Sequence, residues 1–186
     1  MAPETAIPVL PQRLPDDYLM GLKQHFETGA GKGQLALIGL PVGSHTTGYA
    51  NSVMAFGQSS ALAGRLQIRT DKAVPAYLNH LYRYDKSHLV PFGEFVPAVL
   101  LPLTKSLQIP MANFSGAQGL QGTIEIKGQR IAPNICYEDL FGEAMGAWFL
   151  DPVKAPTILA NFSNIAWFGD TIAINQHLAI SKARAI

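Results

Sequence analysis

Three side chains that could together perform acyl transfer stand far apart in the chain: Glu4, Lys86 and Cys136. A thiol must lose its proton before it attacks a carbonyl carbon, and a carboxylate can accept that proton. An ammonium group can lower the thiol pKa and stabilise the oxyanion that forms. Cys136 is the single cysteine of the chain, which excludes an internal disulfide, and it stands where an apolar segment meets two acidic residues. This setting predicts a nucleophile at a strand end.

Each of these residues also has a structural interpretation. A free cysteine is often a small buried hydrophobe. Glu4 could be an exposed loop carboxylate, and Lys86 could be a solvated lysine, which is the usual state of that side chain. The three residues all lie in unusual local sequences, and their combination favours a site over three unrelated side chains.

The composition sets limits on the class of protein. The 186 residues predict one domain spanning residues 1–186, and a hydrophobic fraction of 48% excludes a disordered chain. A net charge of +1, from 14 basic and 13 acidic residues, lacks the basic surface that binds phosphates, so no nucleic-acid partner is expected. No run approaches the roughly 18–20 apolar residues of a membrane span. The first residues and the uncapped helical pattern at residues 176–186 suggest a piece of a longer protein.

Short apolar runs alternate with segments of helical period, which predicts an α/β domain. The predicted strands are residues 35–40, 49–56, 131–136 and 157–162, with a hairpin arm at 123–126. The predicted helices are residues 15–27 and a helix from about residue 173 onward.

One segment fits neither pattern. Residues 91–103 combine high apolar content with three prolines, so a regular helix or central strand is excluded there. We predict an apolar arm at about residues 91–112. Such an arm must pack on something, either the core of the protein or a partner or lipid.

Four blocks together carry a family resemblance: P-E-T-A-I-P at 3–8, Y-D-K-S-H-L-V-P-F-G-E-F-V-P at 84–97, I-C-Y-E at 135–138 and N-F-S-N-I-A-W-F-G-D at 161–170. In combination they resemble the nitrilase, or carbon-nitrogen hydrolase, superfamily. The resemblance implies a nitrilase-like α-β-β-α sandwich, of which this chain supplies the central part. It also implies that Glu4 is the general base, Lys86 the stabiliser of thiolate and oxyanion, and Cys136 the nucleophile.

The same resemblance assigns further positions. Glu94, Tyr137 and Glu138 match residues that support the triad, and a carboxylate beside the lysine would keep its ammonium charged in a dry pocket. Asn51, Trp167 and Phe168 are expected to line the substrate site. One departure is Ile165, which stands where an aspartate is common. No cofactor and no metal are expected.

The longer blocks resemble one membrane-associated branch of the superfamily. That branch transfers a fatty acyl group from a phospholipid, through a cysteine thioester, to the N-terminal amine of a diacylglyceryl-cysteine lipoprotein. The implied partners are a phospholipid donor, a lipoprotein acceptor and a membrane that the apolar arm contacts, at the periplasmic face of a bacterial inner membrane. Two alternatives remain open: a soluble amidase or carbamoyl hydrolase with the same triad, and a non-catalytic lipid- or protein-binding remnant.

Overall fold

The computed structural model describes residues 1–57, 75–96 and 114–185. In this part of the chain the helices are α1 (Asp16–Glu27), α2 (Gly142–Ala147) and α3 (Ile172–Ala183). The strands are β1 (Ala36–Ser44), β2 (Gly48–Phe56), β3 (Arg83–Asp85), β4 (Ile124–Ile126), β5 (Gln129–Ile135) and β6 (Ile158–Phe162).

The strands form two three-stranded sheets. The first has the order β1-β2-β3 with antiparallel neighbours, and the second has the order β4-β5-β6. In the second sheet β4 pairs with β5 as an antiparallel hairpin, whereas β5 and β6 are parallel, with Asn134 opposite Asn161. Parallel neighbours end at the same edge of a sheet, so the segments that follow β5 and β6 emerge side by side.

Alternate residues of β2 face opposite layers, as the period of a strand requires. Val53 and Ala55 point into a buried cluster that also holds Ile135 and Phe162 of the second sheet, so the two sheets pack face to face. Phe56, on the other face of β2, belongs to a second cluster that includes residues of α1. Helix α1, the first sheet and the second sheet are thus stacked in the order that the predicted α-β-β-α sandwich requires.

Helix α1 agrees with its sequence prediction to within one residue at its start. Asp16 and Asp17 lie in its first turn, where carboxylates interact favourably with the helix dipole. Leu19 is fully buried against the first sheet, whereas its neighbours Tyr18 and Met20 are about half exposed. One apolar stripe thus fixes the orientation of the helix.

Strand β1 differs from the prediction, because it continues through Pro41 to Ser44 instead of ending at Leu40. In the described sheet β1 is an outer strand, where a residue without an N–H is tolerated.

The predicted apolar arm is described only in its first residues. Pro91 and Phe95 form an isolated bridge across a tight turn, and residues 97–112 lie outside the described residues. Contact of the arm with lipid stays a prediction. Among the helices of the described ranges, none has both the length and the apolar character needed to cross a bilayer.

Candidate active site

Cys136 lies one residue beyond β5, not within the strand as the sequence predicted. The strand ends at Ile135, and Cys136 opens a 3-10 helix that runs to Leu140. Its φ of 50° is a left-handed conformation that non-glycine residues seldom adopt, and such strain is concentrated at functional sites. Its side chain is buried, and the Ser163 hydroxyl and the backbone N–H of Tyr137 are among the groups that lower the pKa of its thiol.

The surroundings of the thiol favour its neutral form. Burial raises the pKa of Cys136, and the negative charge of Glu4 raises it further. Lys86, the Ser163 hydroxyl and the backbone N–H of Tyr137 act in the opposite direction, and the resulting pKa is about 11. The thiol therefore keeps its proton at neutral pH, and attack on a carbonyl requires a base.

Lys86 follows directly after β3, and its side chain is 1% exposed. Its Nζ lies 3.2 Å from Glu4 Oε1 and 3.0 Å from Glu94 Oε1. Burial acts to lower the pKa of Lys86, but the charges of Glu4 and Glu94, with the hydrogen bond to Glu94, outweigh burial, so the pKa is raised. The lysine is consequently a fixed positive charge at physiological pH.

Glu4 reaches the site because the N-terminal segment crosses closely over β1. The backbone N–H of Ile7 donates to the carbonyl of Gly39 at 3.1 Å. A Cβ on Gly39 would stand 2.2 Å from the carbonyl oxygen of Pro3, so only glycine permits this approach. The glycine in the middle of the strand is thus a requirement for placing the carboxylate.

Asn51, on β2, joins the two carboxylates beside the lysine. Its Nδ2 donates to Glu4 Oε1 at 2.5 Å and to Glu94 Oε1 at 2.9 Å. Its Oδ1 is buried and has no hydrogen-bond partner among the described residues. Glu94 is held in addition by the backbone N–H of Val90, which donates to its Oε2 at 2.8 Å. The lysine is therefore enclosed by a rigid set of acceptors.

Glu138 links the segment that carries the lysine to the segment that carries the cysteine. Its Oε1 accepts from Ser87 N at 2.6 Å, Ser87 Oγ at 2.7 Å and His88 N at 3.2 Å. Its Oε2 accepts from Tyr84 Oη at 2.8 Å and from Ile135 N at 2.7 Å. One buried carboxylate thus links the residues that flank the lysine to the residue that precedes the cysteine.

Three further predicted positions lie on the turns that follow β5 and β6. The Tyr137 ring is half-buried and meets Phe141 edge-on at 5.1 Å. Trp167 and Phe168 belong to a short 3-10 helix, Ala166–Phe168. The Phe168 side chain is 46% exposed, and the Trp167 side chain lies outside the described part of the structure. A role of either ring in substrate binding stays a prediction.

One cleft of about 430 Å³ brings the predicted triad together. Its described lining includes Glu4, Lys86 and Cys136, with Asn51 and Glu94 beside them. This volume falls within the range of small-molecule sites, roughly 300–1,000 Å³. Residues 4, 86 and 136, distant in sequence, therefore share a single pocket.

Sequence reasoning missed a second group of polar residues behind the cysteine. The Ser163 hydroxyl lies 2.7 Å from His177 Nε2 and also donates to Asn161 Oδ1. His177 Nδ1 lies 3.7 Å from Asp139 Oδ1. Ser163 belongs to a block that the sequence singled out, but no spacing rule connects it to a histidine on the last helix, because tertiary packing sets the position of that helix.

Comparison with known sequences finds similarity along nearly the whole chain. The sequence profile of the family described as carbon-nitrogen hydrolase matches residues 3–186. The chain is 50% identical over 186 residues to the apolipoprotein N-acyltransferase of Verminephrobacter eiseniae, covering 100% of this chain and 31% of that protein. It is 39% identical to the apolipoprotein N-acyltransferase of Ralstonia nicotianae, covering 100% of this chain and 32% of that protein. The chain thus spans about a third of the length of the curated relatives it matches.

Comparison with solved structures gives the same fold. Saccharomyces cerevisiae Nit3, a member of branch 10 of the nitrilase superfamily, superposes with a TM-score of 0.53 at 16% identity, over 96% of this chain and 49% of that chain. The predicted nitrilase-like sandwich is confirmed. On the match along nearly its whole length, the chain belongs to the carbon-nitrogen hydrolase family.

Proposed function

We propose that this chain carries the acyl-transfer site of an apolipoprotein N-acyltransferase. The observation that carries the proposal is the shared cleft, in which Cys136 stands beside the buried Lys86 with Glu4 and Glu94 on the ammonium. Such a site could catalyse several acyl-transfer reactions. The similarity to relatives named apolipoprotein N-acyltransferase supports this one.

In the first half-reaction Glu4 accepts the proton of the Cys136 thiol, and the thiolate attacks the carbonyl carbon of a phospholipid ester. A carbon-sulfur bond forms and the ester carbon-oxygen bond breaks. The leaving lysophospholipid alkoxide takes the proton from Glu4. A base is required here because the thiol, with its pKa of about 11, is neutral at working pH.

Lys86 and the backbone N–H of Tyr137 are the donors proposed for the oxyanion. Lys86 lines the same cleft as Cys136, and Tyr137 follows Cys136 directly in the chain. Glu94 and Asn51 hold the ammonium, and Glu138 fixes the backbones of the two segments. Loss of one oxyanion donor typically lowers the rate by about 10²–10³.

In the second half-reaction the free amine of a diacylglyceryl-cysteine lipoprotein attacks the thioester carbonyl. A carbon-nitrogen bond forms, the carbon-sulfur bond breaks, and the amine proton passes through Glu4 back to sulfur. The proposal places the site at the periplasmic face of the inner membrane, where both lipid substrates reside. Trp167, Phe168 and the apolar arm are proposed to line the path of the acyl chain and to keep water from the thioester.

The test is formation of an acyl adduct on the full-length protein, incubated with phospholipid in mixed micelles and analysed by mass spectrometry. We expect a fatty acyl mass on the peptide that contains Cys136, discharged by a diacylglyceryl-cysteine peptide. Cys136→Ala should give no adduct while retaining the thermal unfolding midpoint of the wild type. An adduct that survives this substitution would refute the assignment of the nucleophile.

A second candidate is hydrolysis of a small amide or carbamoyl compound, favoured by the carbon-nitrogen hydrolase profile. The same sample decides between the two activities. Turnover of small amides that needs Cys136, with no adduct from phospholipid, would select the hydrolase. Absence of both reactions in a folded protein would leave a binding role and reject the proposal.

A further inference from the structure

The backbone carbonyl of Cys136 is held by a side chain from the neighbouring strand. Asn134 on β5 and Asn161 on β6 are register partners in the parallel strand pair. Asn161 Nδ2 donates to Asn134 Oδ1 at 2.5 Å and to the Cys136 carbonyl oxygen at 3.0 Å. One amide group thus connects the paired strands to the backbone of the residue that bears the thiol.

The hydrogen-bonding capacity of its neighbours fixes the orientation of the Asn161 amide. A carbonyl oxygen can only accept, so the amide atom that faces the Cys136 carbonyl must be the nitrogen. The amide oxygen accordingly accepts the single hydroxyl hydrogen of Ser163. His177 Nε2 lies 2.7 Å from the same hydroxyl and is left to donate to the serine oxygen. A turned amide would place two oxygens against each other at Cys136, so one orientation is favoured.

The contact acts on a strained residue. The φ of Cys136 is 50°, and a non-glycine residue stays in this region only where its surroundings hold it there. The N–H of Ile135, on one side of the cysteine, donates to Glu138 Oε2 at 2.7 Å. Asn161 holds the carbonyl on the other side. The two contacts together restrain the backbone before and after the strained residue.

The carbonyl of Cys136 and the N–H of Tyr137 belong to the same peptide unit. A peptide unit is planar, and in the trans form its C=O and N–H bonds point in opposite directions. This unit is trans. Whatever fixes the direction of the Cys136 carbonyl therefore also fixes the direction of the Tyr137 N–H, which is one of the two donors proposed for the oxyanion.

We propose that Asn161 is a positioning residue for the oxyanion site. By holding the Cys136 carbonyl, it keeps the Tyr137 N–H directed at the oxygen of the acyl group under attack. Asn161 is not among the described residues that line the cleft, so it acts through the backbone and not through contact with the substrate. The inference rests on the proposed roles of Cys136 as nucleophile and of the Tyr137 N–H as donor.

The test compares two reactions of the same thiol in the full-length protein. In the first, the thiolate attacks the ester carbonyl of p-nitrophenyl butyrate, passes through an oxyanion and expels p-nitrophenolate, which is followed by its absorbance. In the second, the thiolate displaces iodide from iodoacetamide at a saturated carbon, and no oxyanion forms. Both reactions need the thiolate, so the ratio of the acylation rate to the alkylation rate cancels any change in the pKa of the thiol.

Asn161→Leu removes the donor and keeps a similar side-chain volume. We expect the rate ratio to fall about 100-fold, the effect of losing one oxyanion donor. A merely structural role would slow both reactions alike and leave the ratio unchanged. Asn175→Leu is the matched control, because Asn175 is exposed on α3, and it should keep the wild-type ratio.

A ratio for Asn161→Leu within about threefold of the wild type would overturn the proposal. Should this variant fail to fold, Asn161→Ala, which introduces a smaller side chain, decides by the same ratio. A Cys136 adduct from p-nitrophenyl butyrate but none from phospholipid would reject the proposed lipid reaction and leave the ratio test in force. A wild type that forms no Cys136 adduct from either ester has no oxyanion to stabilise, and this outcome would reject the positioning role as well.

Discussion

Glu138→Gln tests the claim that one carboxylate holds the site together. The carboxylate accepts five hydrogen bonds, and the amide of glutamine cannot reproduce them. If the amide nitrogen replaces Oε1, it faces the N–H groups of both Ser87 and His88. If it replaces Oε2, the Tyr84 hydroxyl can turn and accept, but the N–H of Ile135 is left facing another donor. The second arrangement leaves one backbone N–H unpaired instead of two, so it is the one we expect in the variant.

The magnitude follows from that arrangement. One buried backbone donor left unpaired costs about 1–3 kcal/mol, and the remaining bonds change from charge-assisted to neutral at about 0.5–1 kcal/mol each. The four remaining bonds together add about 2–4 kcal/mol, so we expect a loss of about 3–7 kcal/mol in the free energy of unfolding, a large share of the 5–15 kcal/mol typical of a domain. Urea unfolding followed by circular dichroism measures it.

The matched control is Glu143→Gln, an exposed carboxylate in the first turn of α2. This variant should stay within about 0.5 kcal/mol of the wild type, as surface substitutions usually do. A loss below about 1 kcal/mol for Glu138→Gln would refute the reasoning, because it would mean that the five contacts do not constrain the folded state.

Three further predictions concern the groups around the thiol. Glu4→Gln removes a charge that raises the pKa of Cys136. Alkylation of the thiol at pH 8 should therefore be faster than in the wild type, although acyl-enzyme formation is lost. Slower alkylation would show that Glu4 does not raise the pKa of the thiol. Lys86→Met leaves two neighbouring carboxylates without their cation and should cost about 3–5 kcal/mol at pH 8. Urea unfolding measures this loss, and a difference from the wild type below about 1 kcal/mol would contradict the prediction. Gly39→Ala displaces the segment that carries Glu4 and should slow acyl-enzyme formation about 100-fold, whereas Gly21→Ala, whose added Cβ meets open space, should leave the rate unchanged.

Local patterns were sufficient to predict several elements. The apolar stripe of α1 and the short runs of β5 and β6 gave elements within a residue or two of those observed. Proline at position 41 suggested a strand end, yet β1 continues, because an outer strand tolerates a residue without an N–H. Whether a strand is central or outer depends on its tertiary neighbours, which the local sequence does not contain.

The candidate site was predictable only in part, for a related reason. The blocks around residues 4, 86 and 136 identified the polar groups of the cleft, while their convergence depends on how the sheets pack. His177 could not be connected to Ser163, because the contact depends on where α3 lies against the turn after β5. The strained backbone at Cys136, likewise, is a property of the strand-to-turn junction and has no local sequence signal. The catalytic roles themselves stay predictions until the variants are measured.

The single carboxylate shared by the lysine-bearing and cysteine-bearing segments has a consequence for partly opened molecules. Amide hydrogens at positions 87, 88 and 135 all end on the same side chain, so opening either segment breaks the anchor of the other. A locally unfolded form therefore loses the ammonium and the strained thiol together, and it does not persist as a half-assembled species with an activated sulfur. Slow exchange of these three amides at a common rate would be the visible sign of that all-or-none behaviour.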